Sequence, residues 1–406
     1  MTTSEIDLSP DLVAWVEGAV SSTVVAAIPH FAGASRSAWR VAAEDGRRLF
    51  LLQDRNDRGG SERDAAVLRG LVAGPVPVPT VFAHDADRRA LLLERLPGTS
   101  EFPVEGDAAR NGETARALMR VAAELHALDP KTLDVAHLEW PDTVAASIEP
   151  ALEAIRSAEH ALAARLDPFL GFARGWLEAN RPEGISRVSL VHSDLGPGNF
   201  LHEGGRITGV VDWEVAHLGD PMEDLAALAV RDMATPVGAL ADRYREYVEA
   251  GGGPVDLDRV RYFQLLVLSR NSAMIRMGIE SGGSEVNAEE MTMFETLLLR
   301  GAALVLCDAV GVPRPRVEEA ASRGADASAL RTADREELSA LLGRPISEEG
   351  IDAAIDEVAR SGVALAEATR FFARRAHRRA EGRRDLLGPL FSRLPQTMPS
   401  AAEVTP

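Results

Sequence analysis

Two stretches decide the reading of this chain: Leu190-Val-His-Ser-Asp-Leu-Gly-Pro-Gly-Asn-Phe-Leu201 and, a little further on, Val210-Val-Asp-Trp-Glu214. The short apolar runs 188–191 and 207–211 read as buried strands. The polar residues after them therefore fall just past strand ends, where loops carry chemistry on a rigid scaffold. Leu195-Gly-Pro-Gly198 is a turn sequence, because glycine supplies unusual backbone angles and proline fixes one. The turn folds Asn199 back toward Asp194, and Asp212 completes a set of three side chains suited to handling a proton and a metal. A lone Asp or Asn in a loop ordinarily does no more than close an Asx-turn. The joint spacing is what argues for chemistry.

Asp194 and Asn199 are five residues apart and Asp212 follows thirteen later, a pattern that resembles the H-x-D-x-x-x-x-N loop and metal-binding Asp of the protein-kinase-like superfamily. The fuller text is His192-Ser-Asp194, Asn199, Val211-Asp-Trp-Glu214, and Leu218-Gly-Asp-Pro221 with Asp224-Leu-Ala226. It is similar to the aminoglycoside phosphotransferase family, in the broad sense that includes choline kinases and hydroxyacyl-CoA kinases. The resemblance is densest over residues 188–228 and extends loosely from about 30 to 300.

The resemblance implies a bilobal, protein-kinase-like α+β fold, with a small N-terminal antiparallel-sheet lobe and a larger, mainly helical C-terminal lobe. It implies ATP and Mg2+ as cofactors, with Asp194 orienting the acceptor hydroxyl and accepting its proton late, and Asn199 and Asp212 holding the metal. Glu214 is within reach of that metal, directly or through water. His192 is expected to pack under the catalytic loop and hydrogen-bond its backbone, His202 and His217 to be ordinary surface or packing residues, and Asp220 and Asp224 to hold the segment that follows. A transition-metal hydrolase built on these histidines lacks the helical histidine pair or cysteine partner such sites use.

Composition narrows the alternatives. A chain of 406 residues with 46% hydrophobic content has material for two or three globular units. With 62 acidic and 44 basic residues and a net charge of −18, a broad nucleic-acid surface is disfavoured. Cys307 is the single cysteine, which excludes an intramolecular disulfide and a cysteine-based zinc site. The first residues show no basic signal-peptide region, and no run of some 18 apolar residues follows, so the expectation is a soluble, cytoplasmic protein with no membrane partner.

Residues 1–98 read as the nucleotide-binding lobe. A helix from Pro10 precedes strands near 24–31, 38–43 and 49–53; a capped helix at 61–71, Pro75, Pro77 and Pro79, and a hairpin of 81–84 with 90–96 follow. By the resemblance, Phe31-Ala-Gly-Ala-Ser-Arg36, with Gly33 and Ser35, covers the ATP phosphates. Leu91 to Gly98, with Glu94 and Leu96, is the hinge whose backbone meets adenine. The third strand departs from the family. Arg48-Leu-Phe-Leu-Leu-Gln-Asp-Arg55 puts Leu52 or Gln53 where a lysine or arginine is expected to face the phosphates, and leaves Glu62 as the helix carboxylate without an evident partner. Arg40, Arg55 and Arg58 are the cations nearest to hand. Either the cation has migrated or nucleotide binding is weak, which keeps open a catalytically inactive nucleotide-binding pseudokinase or scaffold. Ser193 is a smaller departure, standing where many relatives have glycine.

Residues 99–310 turn helical, with periodic segments at 113–127, 150–164 and 166–179. Arg270, Asn271 and Arg276 interrupt another apolar helix, either to touch the acceptor or to form a buried hydrogen-bond network. Residues 311–406 lack the family motifs and read as a helical appendage ending in a frayed tail from Pro395. Its run of Arg370, Arg374, Arg375, Arg378, Arg379, Arg383 and Arg384 suits a solvated helix face, a contact to a phosphorylated or CoA-linked acceptor, or a protein partner or second copy. The acceptor is expected to be a small-molecule hydroxyl, on an aminoglycoside-like compound or a metabolite such as a hydroxyacyl-CoA.

Overall fold

The computed structural model describes residues 6–30, 36–55, 60–135, 138, 141–184, 187–281, 288–315, 327–360, 363–381 and 395–405. Helix α1 (Pro10–Val20) starts where Ser9 accepts a hydrogen bond from Leu12 N and Pro10 takes the first helical position, which needs no N–H donor. Strands β1 (Val24–His30), β2 (Arg36–Ala43), β3 (Arg48–Asp54), β4 (Val81–Asp85) and β5 (Ala90–Glu94) form an antiparallel sheet in the order β1-β2-β3-β5-β4. Alternation splits its buried residues between two faces. Leu49, Leu51, Val41 and Leu92 pack with Leu12, Val16 and Val20 of α1. Leu52, Leu91 and Leu93 face the other way and join Leu68 and Leu71 of α2 (Ser61–Leu71) in the core that continues into the large lobe. Ser61 does not cap α2 with its side chain. Its N–H instead donates to Asp54 Oδ2 at 3.2 Å, so a carboxylate from β3 holds the helix N-terminus.

The hinge leads into a mostly helical lobe, which gives the chain the expected bilobal α+β, kinase-like architecture. Gly98, at φ +100°, lies so close to the next hairpin that a Cβ there would stand 2.7 Å from His202 O, and Thr99 pairs with His202. The lobe contains α3 (Ala108–Ala127), α4 (Val144–Leu162), α5 (Pro168–Ala179), α6 (Met222–Asp232), α7 (Leu240–Glu249), α8 (Leu257–Glu280) and α9 (Ala288–Val310). Two short sheets carry the site loops, β6 (Ser189–Val191) with β9 (His217–Gly219), and β7 (Phe200–Glu203) with β8 (Arg206–Val210). The helix expected from Pro150 begins earlier, capped by Thr143, and contains Pro150.

The C-terminal region is bound to the large lobe rather than appended loosely. Phe372, on the helix Leu365–Glu381, stacks on Phe172 of α5 with ring centroids 5.1 Å apart. The arginine run is only partly a solvated face: Arg370 and Arg379 are exposed, but Arg375 and Arg378 are buried. Arg375 donates to Asp167 at 3.0 and 2.9 Å and to Asp334 at 3.2 Å; Arg378 reaches Asp334 at 2.7 Å and Glu337 at 2.6 Å, and Arg379 also meets Asp167. Arg383 and Arg384 lie outside the described residues. The segment from Pro395 is packed rather than frayed. Gln396 donates to Asp232 Oδ2 and Gly238 O, both at 2.8 Å, and Met398 and Val404 are buried. Among the described residues no helix is long and apolar enough to cross a membrane.

Candidate active site

The loop between β6 and β7 is fixed from below by one buried carboxylate. Asp224, in the first turn of α6, accepts from His192 N at 3.0 Å and Ser193 N at 2.7 Å, and meets His126 Nε2 at 2.9 Å. Its position at a helix N-terminus favours the anion it supplies. Asp224 thus holds the loop that precedes it, whereas the sequence suggested only the segment that follows. Ser193 adopts φ 64°, the left-handed region where glycine is unstrained, which explains the glycine of many relatives. Its hydroxyl donates to Glu223 Oε1 at 2.5 Å.

Asp194 follows, half-buried, and the turn acts as its sequence predicts. Asn199 Nδ2 donates to Asp194 O and to Asp194 Oδ2, both at 2.9 Å. Sequence reasoning missed Arg231, whose Nε donates to Asp194 Oδ1 at 2.8 Å and whose Nη2 meets Oδ2. A signal was available. Arg231 lies seven residues past Asp224 on α6, two helical turns, so the face that grips the catalytic loop also presents this arginine to it.

The second site loop is tied to the first. Val211 N donates to Asn199 O at 3.0 Å, and His192 Nε2 lies 3.0 Å from Val211 O with its ring 4.5 Å from that of Trp213. His192 therefore packs beneath both loops and bonds the backbone just before Asp212. Asp212 itself sits at φ 69° with a partly exposed carboxylate, 3.6 Å from Arg36 Nη1.

Arg36 is the buried cation that meets Asp212, and it comes from the start of β2. Its side chain is 3% exposed. Nε donates to Asp54 Oδ1 at 3.1 Å and Nη1 to Asp64 Oδ2 at 2.5 Å, while Nη2 lies 3.1 Å from Glu214 Oε2. Strand pairing sets the first contact, since Arg36 is opposite Asp54 in the β2–β3 register. Gly60 is required here, because a Cβ would fall 2.3 Å from Glu214 Cβ. The other candidates are elsewhere. Gln53 donates to Arg88 O at 3.1 Å, in the turn between β4 and β5, and Arg55 reaches Ser37. Arg40 and Glu62 are exposed, and the α2 carboxylate that meets a cation is Asp64. Gly33, Ser35 and Arg58 lie outside the described residues.

Charge is unbalanced around Arg36. Burial disfavours its charge, but Asp64, Glu214 and Asp212 outweigh that and hold it firmly protonated. Burial, then the negative charge of Asp212, push Glu214 up to about 7 despite Arg36. Such a cleft suits a cation. Among the described residues no group of three or more His, Cys, Asp or Glu forms a metal cage. Asn199 and Asp212 would instead supply two hard oxygen ligands and leave the rest to phosphate oxygens and water, as magnesium prefers. Asn199 fits this role, because its amide nitrogen is engaged by Asp194 and its Oδ1 is thereby oriented.

At the hinge, Glu94 N donates to Thr80 O at 2.8 Å and its carboxylate accepts from Thr80 Oγ1 at 2.8 Å. Leu96 covers Gly209 on β8, where a Cβ would lie 2.2 Å from Leu96 Cδ1. His202 is a packing residue, bonded to Glu101 O at 2.8 Å. His217 pairs with Glu223 at 3.1 Å. Asp220 anchors Arg259 at 2.5 Å, and Arg276 pairs with Glu295, placing it in a hydrogen-bond network. Arg270 Nε donates to Asn271 Oδ1 at 3.3 Å. A cavity of about 920 Å³ between the large lobe and the C-terminal helices is lined by Asp167, Arg276, Glu295 and Arg375, and by none of the loop residues above.

Comparison with known proteins bears on the family and the fold. The sequence profile of the phosphotransferase enzyme family matches residues 27–263. Viomycin phosphotransferase of Streptomyces vinaceus is 33% identical over 166 residues, covering 38% of this chain and 54% of that protein. Hygromycin-B 4-O-kinase of Escherichia coli is 25% identical over 199 residues, 45% of this chain and 55% of that protein. Acyl-CoA dehydrogenase family member 10 of Mus musculus is 25% identical over 176 residues, 41% of this chain and 16% of that protein. The chain thus spans about half the length of the two antibiotic kinases and far less of the third. Macrolide 2′-phosphotransferase from Brachybacterium faecium shares the fold, with a TM-score of 0.54 at 20% identity, covering 70% of this chain and 97% of that one. So does aminoglycoside phosphotransferase APH(4)-Ia in complex with ADP and hygromycin B, with a TM-score of 0.51 at 18% identity over 71% of this chain and 98% of that one. On a profile match over more than half its length and a bilobal kinase-like fold, the chain belongs to the phosphotransferase enzyme family.

Proposed function

We propose that the protein is an ATP- and magnesium-dependent phosphotransferase acting on a hydroxyl of a small molecule. One observation carries this reading: Asn199 bonds Asp194, the backbone of Val211 ties Asn199 to the loop of Asp212, and Asp212 lies 3.6 Å from the buried Arg36, so the four residues stand on one bonded framework. When bound with magnesium, ATP supplies the transferable γ-phosphoryl group. Asn199 and Asp212 hold the metal, and Arg36 contributes positive charge beside it. Asp194 orients the acceptor hydroxyl and receives its proton as the oxygen bonds to phosphorus. Catalysis of this kind is mostly positioning and electrostatics, so the bonded framework under both loops matters as much as the reacting groups.

The inactive alternative drew its motive from the absence of a cation at Gln53. A buried Arg36 in contact with Asp212 supports an active enzyme instead. An ATP donor also fits a cytoplasmic setting.

Two acceptor classes are in view: antibiotic hydroxyls, for which two of the relatives are named, and CoA-linked hydroxyls, which rest on the family resemblance read from the sequence. Purified protein incubated with labelled ATP and Mg2+ against hygromycin B, viomycin and hydroxyacyl-CoA separates them by which compound gains the label. Asp194→Ala should abolish the transfer. Undiminished transfer in that variant would remove Asp194 from its role, and no transfer to any hydroxyl by the wild type would remove the function.

A further inference from the structure

We infer that Arg231 is the positioning residue for Asp194, fixing which carboxylate oxygen receives the acceptor's proton. The inference rests on the phosphotransferase reading above. Arg231 meets both oxygens, Nε donating to Oδ1 at 2.8 Å and Nη2 to Oδ2, while Nη1 donates to Pro197 O at 2.7 Å. A planar guanidinium gripping a carboxylate through two parallel bonds resists rotation of that carboxylate, which a single contact would not.

The loop leaves room for this arginine. Where the side chain crosses the loop, the loop is glycine. A Cβ on Gly196 would stand 2.8 Å from Arg231 Cδ, and one on Gly198 would stand 3.2 Å from its Nη1. A side chain at Gly196 would press on the Arg231 stem and one at Gly198 would crowd its guanidinium, and the positive φ of both residues, +152° and +98°, favours glycine in its own right.

The donors also single out one oxygen. An ionised carboxylate offers about four lone-pair sites. Among the described residues Oδ2 takes two donors, from Arg231 and Asn199, and Oδ1 takes one, from Arg231. The open position for an incoming hydroxyl is therefore on Oδ1. As the acceptor oxygen bonds to the γ-phosphorus and the bond from that phosphorus to the bridging oxygen of ADP breaks, the hydroxyl proton passes to Asp194 Oδ1. Arg231 neither gives nor takes a proton in this step. It acts through Asp194.

The test uses the full-length protein with Mg-ATP and the acceptor identified by the labelling assay, or water as a slow substitute. In Arg231→Ala, kcat should fall by about 10- to 100-fold, the scale of a misplaced catalytic group. The KM for ATP and the affinity for Mg-AMP-PNP should stay within about two-fold, because an interaction used only in the transition state leaves ground-state binding alone. Arg231→Lys should recover part of the rate, as should added guanidinium ion with the alanine variant. In an Asp194→Asn background, Arg231→Ala should cost nothing further. An unchanged kcat, an equal loss in the Asp194→Asn background, or a loss of nucleotide affinity and thermal stability that neither lysine nor guanidinium restores would each overturn the inference. A wild type that binds Mg-AMP-PNP but transfers to no acceptor sinks the phosphotransferase reading and this inference with it. An active wild type with an indifferent Arg231→Ala sinks the inference alone.

Discussion

Arg36 and Asp64, 28 residues apart in sequence, form a buried ion pair at 2.5 Å that joins the sheet to α2 beside Asp212. Removing the arginine would leave Asp54 and Asp64 as buried carboxylates without their cation, a change that typically costs about 3–5 kcal/mol. Arg36→Met should therefore lower thermal stability by that order and weaken Mg-AMP-PNP binding by at least about ten-fold, since electrostatic support beside the phosphates is lost with it. Calorimetric titration alongside thermal unfolding checks both effects. Full nucleotide affinity in a folded, destabilised variant would leave Arg36 a purely structural part of the fold.

Ser193 sets a backbone cost against a hydrogen bond. A non-glycine residue at φ 64° is strained by about 1–2 kcal/mol, whereas a bond from its hydroxyl to the Glu223 carboxylate is worth about 1.5–3 kcal/mol. The bond outweighs the strain. Ser193→Gly gives up the bond and relieves the strain, but it also adds freedom to the unfolded chain, so a loss of about 1 kcal/mol is expected. Ser193→Ala gives up the bond and keeps the strain, and should lose about 2–3 kcal/mol. Urea unfolding should rank wild type above glycine above alanine, and alanine as the more stable of the two variants would contradict this account.

What the sequence revealed of this site was what is local. The His192 to Asn199 loop and Asp212 follow strand ends and a turn, so their spacing alone brought them together. Arg36 was hidden because strand pairing, not proximity along the chain, sets it opposite Asp54, while Arg40, Arg55 and Arg58 looked nearer. Glu62 is the helix carboxylate that the resemblance suggests, but it is Asp64 that meets Arg36, and helical phase explains this. Asp64 precedes the buried Leu68 and Leu71 by four and seven residues and shares their face of α2, whereas Glu62 points to solvent. The arginines from Arg374 to Arg379 read as a solvated run because a partner such as Asp167 lies 208 residues before Arg375. Nothing near them in sequence announces a carboxylate seam that binds the C-terminal helices to α5.

His217 and Glu223 form a pair beside the catalytic loop that gives stability a calculable dependence on pH. Burial disfavours the charge on His217, but the Glu223 carboxylate outweighs it, together with a bond to Val215 O, and raises its pKa above 6.5 even though Arg270 opposes this. Burial likewise works against the charged form of Glu223, and His217, Arg270 and the Ser193 hydroxyl overcome it, bringing its pKa down from 4.5 to about 2. A raised histidine stabilises fully below its unfolded value and loses that contribution as pH rises through its folded value; a lowered carboxylate stabilises fully above its unfolded value and loses it as pH falls. The pair is therefore worth most between about pH 4.5 and 6.5, where both groups carry their charges in the folded and the unfolded chain alike and only the folded chain brings them together. The acid-side loss amounts to at most about 3 kcal/mol for a shift of this size. Glu223→Gln should accordingly differ most from wild type near pH 6 and converge on it toward pH 2. His217→Gln should differ most over the same window, between about pH 4.5 and 6.5, and converge on the alkaline side. Denaturant unfolding at a series of pH values reads both curves, and a difference that stays constant with pH would show that the pair contributes packing rather than charge.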